Sequence, residues 1–321
     1  MRILITRHLP EAAPATLRAA GHTVTLNPHD RPLAPAELLD LSQNADALLP
    51  MLTDKIDAPF LDQRSNLKAI ANYAVGYNNI DIPACTARKV GVSNTPGVLT
   101  NATAEIAWTL LMAAARRAGE GERLVRTRSW AGWEPLQLLG ADIVGRTLGL
   151  IGAGRIGTRV AKMATGFDMR ILYHNRSPNP GMDSLGAHLV PLNTLLTQSD
   201  FISVHVPLSD ATRHLLGPGQ FKMMKPTAVL INTARGPVID EAALVEALKS
   251  KTIFAAGLDV YEHEPTLHPG LYELDNAILL PHLGSATIDT RNKMAQMAAD
   301  NLIAMLAGKR PPNPVNPEIW P

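Results

Sequence analysis

The fold is decided by the stretch Gly152-Ala153-Gly154-Arg155-Ile156-Gly157, near the middle of the chain. The apolar run before it, residues 148–151, is typical of a buried parallel strand, and apolar residues recur at helical spacing after it. Gly152 permits a tight turn, Gly154 lets the backbone approach a pyrophosphate, and Gly157 lets the helix pack on the strand. The phosphates would lie at the helix N-terminus, where free N–H groups and the helix dipole favour negative charge. Glycines also mark ordinary turns, but between this strand and this helix we favour a dinucleotide-binding turn.

Length and composition indicate a globular protein with two domains. The chain has 321 residues, more than a typical single domain, with 46% hydrophobic and 18% charged residues. A formal net charge of +1 offers no electrostatic attraction to nucleic acid or to an anionic membrane. The longest apolar run, residues 106–115, is about half a membrane span, and the N-terminus is typical of a strand rather than a signal peptide. We therefore expect partners that are neither nucleic acids nor membranes.

The chain has a single cysteine, Cys85, which excludes an internal disulfide framework. This usage suits a reducing compartment, so we expect a cytoplasmic protein. Small neighbours favour a packing role for Cys85 over a nucleophilic one. We predict no bound metal.

Strands and helices alternate along residues 1–98, which predicts a parallel sheet with helices on both faces. The most informative segment of this region is Asn72-Tyr73-Ala74-Val75-Gly76, where a glycine follows a strand end and could expose N–H groups to an anion. An ordinary strand-to-helix turn explains this segment equally well. The predicted strands are residues 2–6, 22–26, 47–52, 67–72 and 90–93, and the predicted helices include 12–20 and 35–41.

A second alternating region begins at residue 147 and contains the glycine motif. Before it, Asn101 is a plausible N-cap for one long helix over residues 102–120. Trp130 and Trp133 follow in a loop and suggest an interface or a pocket wall, with core packing as the default. The predicted strands are residues 147–151, 169–174, 201–206, 228–233, 254–260 and 277–280, and the predicted helices are 155–165, 192–198, 240–249 and 288–307, before a Pro-rich tail at 311–321.

We predict an α/β protein with two doubly wound parallel-sheet domains. A Rossmann-type dinucleotide-binding domain, residues 99–284, would be inserted into a discontinuous, flavodoxin-like substrate-binding domain, residues 1–98 and 285–321. The final helix would then pack against the first part of the chain.

The residues after the second strand of the cofactor region indicate which nicotinamide cofactor binds. An acidic residue there would bind the ribose 2′-hydroxyl and repel a 2′-phosphate. Here the strand is followed by Asn175-Arg176-Ser177, so the acid is absent and a guanidinium stands beside its position. We predict NADPH as the cofactor, with weaker binding of NADH. The alternative is that Arg176 is a solvated loop residue.

Three polar residues follow the ends of the last three predicted strands: Arg235, Glu264 and His282. In open α/β sheets this edge is where ligands bind, so the three could meet above a nicotinamide. Two of them have a purely structural alternative. Arg235 could be a surface charge, and His282 could be a core histidine with its hydrogen bonds made inside the fold. Glu262 is close enough in the chain to compete for the role of Glu264.

Together with the glycine motif, the segments around these residues resemble the D-isomer-specific 2-hydroxyacid dehydrogenases. The resemblance extends from Asn72 to the last helix, and it is closest to the glyoxylate/hydroxypyruvate reductases, on Asn175-Arg176-Ser177 and residues 130–135. The other motifs that carry it are Asn232-Thr233-Ala234-Arg235-Gly236, residues 257–265 and Pro281-His282-Leu283-Gly284-Ser285-Ala286-Thr287.

The resemblance implies reduction of glyoxylate, hydroxypyruvate and other small 2-oxo acids to D-2-hydroxy acids. It implies that His282 protonates the substrate carbonyl oxygen, while Glu264 orients the imidazole and favours its charged form. It implies that Arg235 holds the substrate carboxylate with its planar fork. The backbone N–H groups of Val75 and Gly76 would complete the anion site.

The resemblance also implies further contacts and a homodimer, in which Trp133 reaches the neighbouring subunit's active site. Leu52 and Thr53, at the end of the third predicted strand, could line the substrate pocket, as could Ser285. The residues expected at the cofactor are Gly152, Gly154, Arg155, Ile156, Gly157, Asn175, Arg176, Ser177, Pro207, Thr233, Asp259 and Gly284.

Other functions remain open on sequence alone. Formate dehydrogenases share the fold but lack a Glu in the role of Glu264, and phosphite dehydrogenases have a lysine in place of Val75. Phosphoglycerate dehydrogenases usually carry the acidic residue that Asn175 replaces. A dehydrogenase for another 2-hydroxy acid is one alternative. Another is an NAD(H)-sensing, corepressor-like module that binds proteins, since such relatives keep the same triad.

Overall fold

The computed structural model describes residues 1–320, which form two compact units. The first unit contains Met1–Leu99 together with the chain from Ala286 onward, and the second contains Thr100–Ser285. Each unit is built on one parallel sheet, which confirms the predicted α/β class. Pro321, the last residue of the predicted tail, lies outside the described residues. Within them, no helix is both long enough and apolar enough to cross a membrane.

The elements follow the predicted alternation, with strand ends that differ by a few residues. The strands are β1 (Arg2–Ile5), β2 (Thr23–Leu26), β3 (Ala47–Leu49), β4 (Ala69–Ala71), β5 (Gly91–Ser93), β6 (Thr147–Ile151), β7 (Arg170–His174), β8 (His188–Leu189), β9 (Phe201–Val204), β10 (Val229–Asn232), β11 (Ala255–Leu258) and β12 (Ala277–Leu279). The helices are α1 (Ala12–Ala19), α2 (Pro35–Leu41), α3 (Ala58–Asp62), α4 (Ile82–Ala87), α5 (Thr100–Ala115), α6 (Ala118–Arg126), α7 (Arg155–Ala164), α8 (Pro180–Asp183), α9 (Leu192–Gln198), α10 (Pro218–Met223), α11 (Glu241–Lys249) and α12 (Ile288–Leu306).

The sheet of the first unit has the strand order β2-β1-β3-β4-β5, which is the flavodoxin-like order. Its strands β3, β4 and β5 are entirely buried, as expected for a parallel sheet covered on both faces. Helix α12 begins after Thr287, whose hydroxyl accepts a hydrogen bond from the N–H of Thr290. It packs on this sheet through small and flexible apolar residues, namely Met294, Ala295, Ala298, Ala299 and Leu302.

The sheet of the second unit has the order β12-β11-β10-β9-β6-β7-β8. Read from β8, this is the Rossmann order with a seventh strand, and the direction of winding reverses between β6 and β9. Ligands of such sheets bind beyond the carboxyl ends of the strands at this reversal. The glycine turn follows β6, so the fold places it at the expected ligand-binding position.

The predicted single helix over residues 102–120 is wrong. Helix α5 begins at Thr100, so Asn101 lies inside it rather than at its cap, and α6 is a separate helix. The break occurs because Arg117 has a left-handed backbone, with φ of 52°. The carbonyl of Ala115 accepts a hydrogen bond from the N–H of Ala141 at 2.8 Å. The last carbonyl of α5 is thus bound by the loop after α6.

Candidate active site

The turn after β6 has the geometry that a pyrophosphate needs. Gly152 has a φ of +96°, and a Cβ there would lie 2.8 Å from the carbonyl carbon of His205. A Cβ on Gly157 would lie 2.2 Å from the oxygen of Gly152, so neither position accepts a side chain. A Cβ on Gly154 would meet nothing within 4 Å, which leaves open space in front of the helix.

Helix α7 begins directly behind that space. Its N-cap is Gly154, no side chain caps it, and its first turn contains no acidic residue. The first N–H groups of a helix have no partners within the helix, and its dipole favours an anion there. Arg155 and Ile156 open this helix, so the backbone at both positions is available to a phosphate.

The predicted cofactor residues after β9 and β10 lie at the same sheet edge as this turn. Thr233 follows β10, and its buried Oγ1 atom has no hydrogen-bond partner among the described residues. A buried hydroxyl without a partner is costly, and a bound ligand would supply one. Pro207 follows β9, and its carbonyl accepts a hydrogen bond from Oγ1 of Thr212 at 2.7 Å.

The turn after β7 leaves the guanidinium of Arg176 without a partner among the described residues. Asn175 shapes this turn, because its Oδ1 accepts from the N–H of Ala153 at 3.4 Å and its Nδ2 donates to the oxygen of Ser177 at 2.9 Å. Arg176 is exposed and forms no hydrogen bond or ion pair with the described residues. The sequence analysis missed Asn179, whose Nδ2 donates to the oxygen of Ala153 at 2.6 Å. The Asn-Pro pair at the start of α8 is the helix-start signal that could have identified it.

His282 and Glu264 meet at the carboxyl edge of β11 and β12. Nδ1 of His282 lies 2.9 Å from Oε2 of Glu264, and the two side chains are 35% and 36% exposed. One side of the pair is therefore accessible to a ligand. His282 has a left-handed backbone, with φ of 56°, which is uncommon for a residue with a side chain. Such a conformation persists only where the surrounding turn holds it.

Glu264 is held as a carboxylate. Partial burial works to raise its pKa, but the hydrogen bond and charge of His282 outweigh that effect. The N–H of Tyr261, which donates to Oε1 at 3.0 Å, and the charge of Arg235 act in the same direction. The pKa of Glu264 therefore lies below its ordinary value, and the group beside the imidazole is an ionised carboxylate.

The competing residue Glu262 has a different partner. Its Oε1 lies 2.5 Å from Nε2 of His214. The structure thus brings Glu264, and not Glu262, to His282.

Arg235 follows β10 and is half-buried. Its Nη1 donates to the oxygen of Ala234 at 2.6 Å. Burial lowers its pKa, while the charge of Glu264 opposes that shift. A Cβ on Gly236 would lie 1.8 Å from the carbonyl carbon of Tyr261, so the turn after β10 packs directly against the loop that carries Glu264. Arg235, Glu264 and His282 therefore lie at one edge of the sheet.

Asp259 holds the turn that contains His282. Its buried carboxylate accepts hydrogen bonds from the N–H groups of Leu283 at 2.6 Å and Gly284 at 2.8 Å. Burial raises the pKa of Asp259, although these hydrogen bonds and His282 oppose the rise. Oγ1 of Thr103 donates to the oxygen of Gly284 at 2.9 Å, which fixes the end of the turn next to Ser285. The expected contact of Asp259 with a nicotinamide stays a prediction.

Three predicted substrate residues lie in the first unit. The N–H groups of Val75 and Gly76 donate to no acceptor among the described residues, whereas the oxygen of Val75 accepts from Nδ2 of Asn94 at 2.7 Å. Leu52 lies in the turn after β3 and is partly exposed.

Trp130 and Trp133 belong to the second unit and are 52% and 81% exposed. The default expectation that they pack in a core is therefore wrong.

Comparison with known proteins places these features in a family. A family model for the NAD-binding domain of D-isomer specific 2-hydroxyacid dehydrogenases matches residues 108–284. A glyoxylate reductase from Thermococcus onnurineus is 47% identical, over 99% of this chain and 96% of its own. A glyoxylate reductase from Aeropyrum pernix is 46% identical, over 99% and 96%.

Solved structures agree with these sequence matches. The TT0316 protein from Thermus thermophilus superposes with a TM-score of 0.92 and 46% identity, covering 98% of this chain and 100% of its own. An NADPH-dependent glyoxylate/hydroxypyruvate reductase from Sinorhizobium meliloti, in complex with NADP and malonate, has a TM-score of 0.87 and 32% identity, covering 99% and 98%.

Proposed function

The chain belongs to the D-isomer specific 2-hydroxyacid dehydrogenase family, and we propose that it reduces glyoxylate, hydroxypyruvate and similarly small 2-oxo acids with NADPH. As a member of this family it is an NAD(P)-dependent oxidoreductase. The observation that carries the proposal is the pairing of His282 with Glu264 at 2.9 Å, beside Arg235 at the same sheet edge. The names of the similar glyoxylate reductases support the substrate class.

His282 acts as the acid in this proposal. Glu264 occupies Nδ1, so Nε2 is the ring nitrogen that can hold a proton for the substrate's carbonyl oxygen. The neighbouring carboxylate stabilises the imidazolium until that proton is transferred. Because Asp259 fixes the turn around His282, the ring keeps its direction while its charge changes.

Arg235 would bind the substrate carboxylate. A guanidinium presents two parallel donors to a carboxylate, which both anchors the substrate and orients its carbonyl group. Within the first unit, Val75 and Gly76 have free N–H groups that can bind an anion. Substrate fixed in this way needs little reorganisation to react.

The cofactor would be held by the glycine turn, with Thr233 and Arg176 as further contacts. The reduced nicotinamide, when bound, supplies a hydride to the carbonyl carbon. The absence of an acid at Asn175 and the unpaired guanidinium of Arg176 support NADPH over NADH. The Sinorhizobium meliloti enzyme, which is described as NADPH-dependent, supports the same preference.

The proposed assembly is a homodimer. The segment from α6 to β6 exposes several large apolar side chains, which is unusual for a surface that stays in water. A second copy of the chain would cover them, and Trp133 would reach the partner's active site. These residues are Val125, Trp130, Trp133, Leu136, Leu139 and Val144, each more than half exposed.

Turnover decides between the proposed enzyme and its alternatives. Protein mixed with NADPH and glyoxylate should oxidise the cofactor, which is measured as a loss of absorbance at the reduced-nicotinamide band. Hydroxypyruvate should also react. A panel of longer 2-oxo acids identifies a dehydrogenase with another substrate. Cofactor binding without turnover of any 2-oxo acid would contradict the proposal and favour the corepressor-like module.

A further inference from the structure

Two asparagine side chains join the loops of the first unit that carry the predicted substrate contacts. Nδ2 of Asn72 lies 3.3 Å from Oδ1 of Asn79, and Nδ2 of Asn79 lies 3.2 Å from Oδ1 of Asn72. Asn72 is fully buried directly after β4, and Asn79 lies just before α4. The two amides therefore form a reciprocal pair at the carboxyl edge of the sheet.

Asn79 fixes the turn that contains Leu52. Its Nδ2 also points at the oxygens of Met51 and Asp54, at 3.0 Å and 3.1 Å. These two carbonyls lie on either side of Leu52 and Thr53 in the chain. One side chain thus holds both ends of the turn after β3.

Asn72 belongs to a set of donors that orient three successive peptide planes. The oxygen of Ala74 accepts from the N–H of Thr95 at 2.9 Å, and the oxygen of Val75 accepts from Asn94 at 2.7 Å. The oxygen of Gly76 accepts from Nδ2 of Asn72 at 2.8 Å.

In a trans peptide the N–H points opposite to the carbonyl. Fixing these oxygens therefore turns the N–H groups of Val75, Gly76 and Tyr77 away from the donors. None of these N–H groups has an acceptor among the described residues. Free N–H groups of successive residues can bind an anion, and we call these three the anion-binding surface.

We propose that the Asn72–Asn79 pair sets the distance between this anion-binding surface and Leu52, and thereby restricts the enzyme to short 2-oxo acids. The proposal rests on the proposed function, because the amides would hold the substrate carboxylate while Leu52 meets the other end of the substrate. A satisfied buried polar network is rigid, so the spacing is fixed before substrate binds. Both asparagines are positioning residues, since neither touches the reacting atoms.

The test compares Asn79→Ser with Asn66→Ser. Asn66 donates to the oxygen of Ala45 at 2.7 Å, before β4 at the opposite edge of the same sheet, so its loss removes a side-chain hydrogen bond away from the site. Asn79→Ser should raise KM for glyoxylate about 10-fold with kcat changed less than about 3-fold, since ground-state binding is lost. The ratio of kcat/KM for glyoxylate over 2-oxobutyrate should fall about 5-fold, because the spacing no longer selects the shorter acid. Asn72→Ser should act in the same direction.

Binding of oxalate gives a readout that does not depend on turnover. With NADP⁺ present, calorimetry should show oxalate binding to wild type and binding at least about 5-fold weaker to Asn79→Ser. Equal losses for both substrates, or equal effects of Asn66→Ser, would overturn the proposal. If the wild-type protein turns over no 2-oxo acid, the proposed function is overturned instead, and oxalate binding alone then tests the role of the pair. Equal affinity in wild type and Asn79→Ser, or no binding to wild type, would overturn the role of the pair.

Discussion

Glu241 and Glu262 each accept a hydrogen bond from the other's backbone amide, at 2.8 Å and 3.3 Å. The carboxylate of Glu241, which is only 7% exposed, also accepts from the N–H of His268. The loop between Glu262 and His268 carries Glu264, so both of its ends are fixed to the first turn of α11. The position of the carboxylate beside His282 thus depends on a buried residue that does not contact the histidine.

Glu241→Gln replaces one acceptor oxygen with an NH₂ group that faces a backbone N–H. Losing a buried hydrogen bond to a charged acceptor should reduce the free energy of unfolding by about 1.5–3 kcal/mol, measured by urea denaturation. We expect kcat to fall as well, because Glu264 is held less firmly. Glu246→Gln, on the exposed face of the same helix, is the control and should change neither quantity. Lost stability with unchanged kcat would show that the loop keeps its position without Glu241.

Glu264→Gln should lower kcat about 10- to 100-fold with a smaller change in KM, because the amide no longer favours the charged imidazole. The pKa of Glu264 in the folded chain lies below its ordinary value, although partial burial opposes the shift. Its contribution to stability is therefore present above the unfolded pKa and is lost as pH falls through the folded pKa. Urea denaturation from neutral to acidic pH should show wild type and variant converging at the acidic end. A gap that widens with acidity would contradict this assignment.

The alternation of strands and helices predicted both sheets, but several short elements were not among the predicted ranges. Strand β8 has two exposed residues, so no hydrophobic pattern marks it. The helices α3, α4, α8 and α10 have four to six residues each, too few for an apolar stripe. Each nevertheless has a proline in its first two positions, and this start signal was available in the sequence.

The strand pattern placed Arg235, Glu264 and His282 at one sheet edge, but only the family resemblance favoured Glu264 over Glu262. These two residues lie on the same loop, and the structure gives them separate partners: Glu264 contacts His282, while Glu262 contacts His214 and Glu241. Supporting residues such as Asn79 and Asp54 were not predicted. They bind backbone groups in other loops, and no local pattern marks such contacts.

Asp54 provides a test of burial in the first unit. Its side chain is 2% exposed, and Oδ2 accepts from Oγ1 of Thr6 at 2.5 Å and from the N–H of Met51 at 2.7 Å. Oδ1 has no partner among the described residues. Burial raises the pKa of Asp54, and these hydrogen bonds only partly oppose it.

A raised carboxyl pKa means that the folded chain binds more protons than the unfolded chain between the two pKa values. Wild type should therefore lose stability relative to Asp54→Asn as pH rises through that window, and regain it in acid. Urea denaturation at several pH values measures this difference. Asp40→Asn, at an exposed position, is the control for the same change of side chain without burial. A difference for Asp54→Asn that does not vary with pH would show that its carboxyl is not destabilised by burial.

The exposed apolar side chains between α6 and β6 provide a test of the proposed homodimer. Light scattering should give a mass of twice 34.5 kDa for wild type. Leu136→Glu places a charge on a residue that is 80% exposed in a single copy, so it should leave folding intact and produce monomers. Tyr272→Glu, at a side chain 68% exposed outside the segment, is the matched control. A monomeric wild type would contradict the assembly.

Arg176→Ala tests the cofactor preference. The guanidinium is exposed and unpaired, so its loss should cost no stability, while a 2′-phosphate would lose a charge-assisted contact. We expect KM for NADPH to rise about 10-fold or more and KM for NADH to change less than about 2-fold, since only the phosphate distinguishes the two cofactors. Arg170→Ala is the control, because Arg170 is also exposed but lies at the opposite end of β7, away from the glycine turn. Small, equal effects on both cofactors would show that Arg176 is only a solvated charge, and the NADPH preference would have to come from other residues.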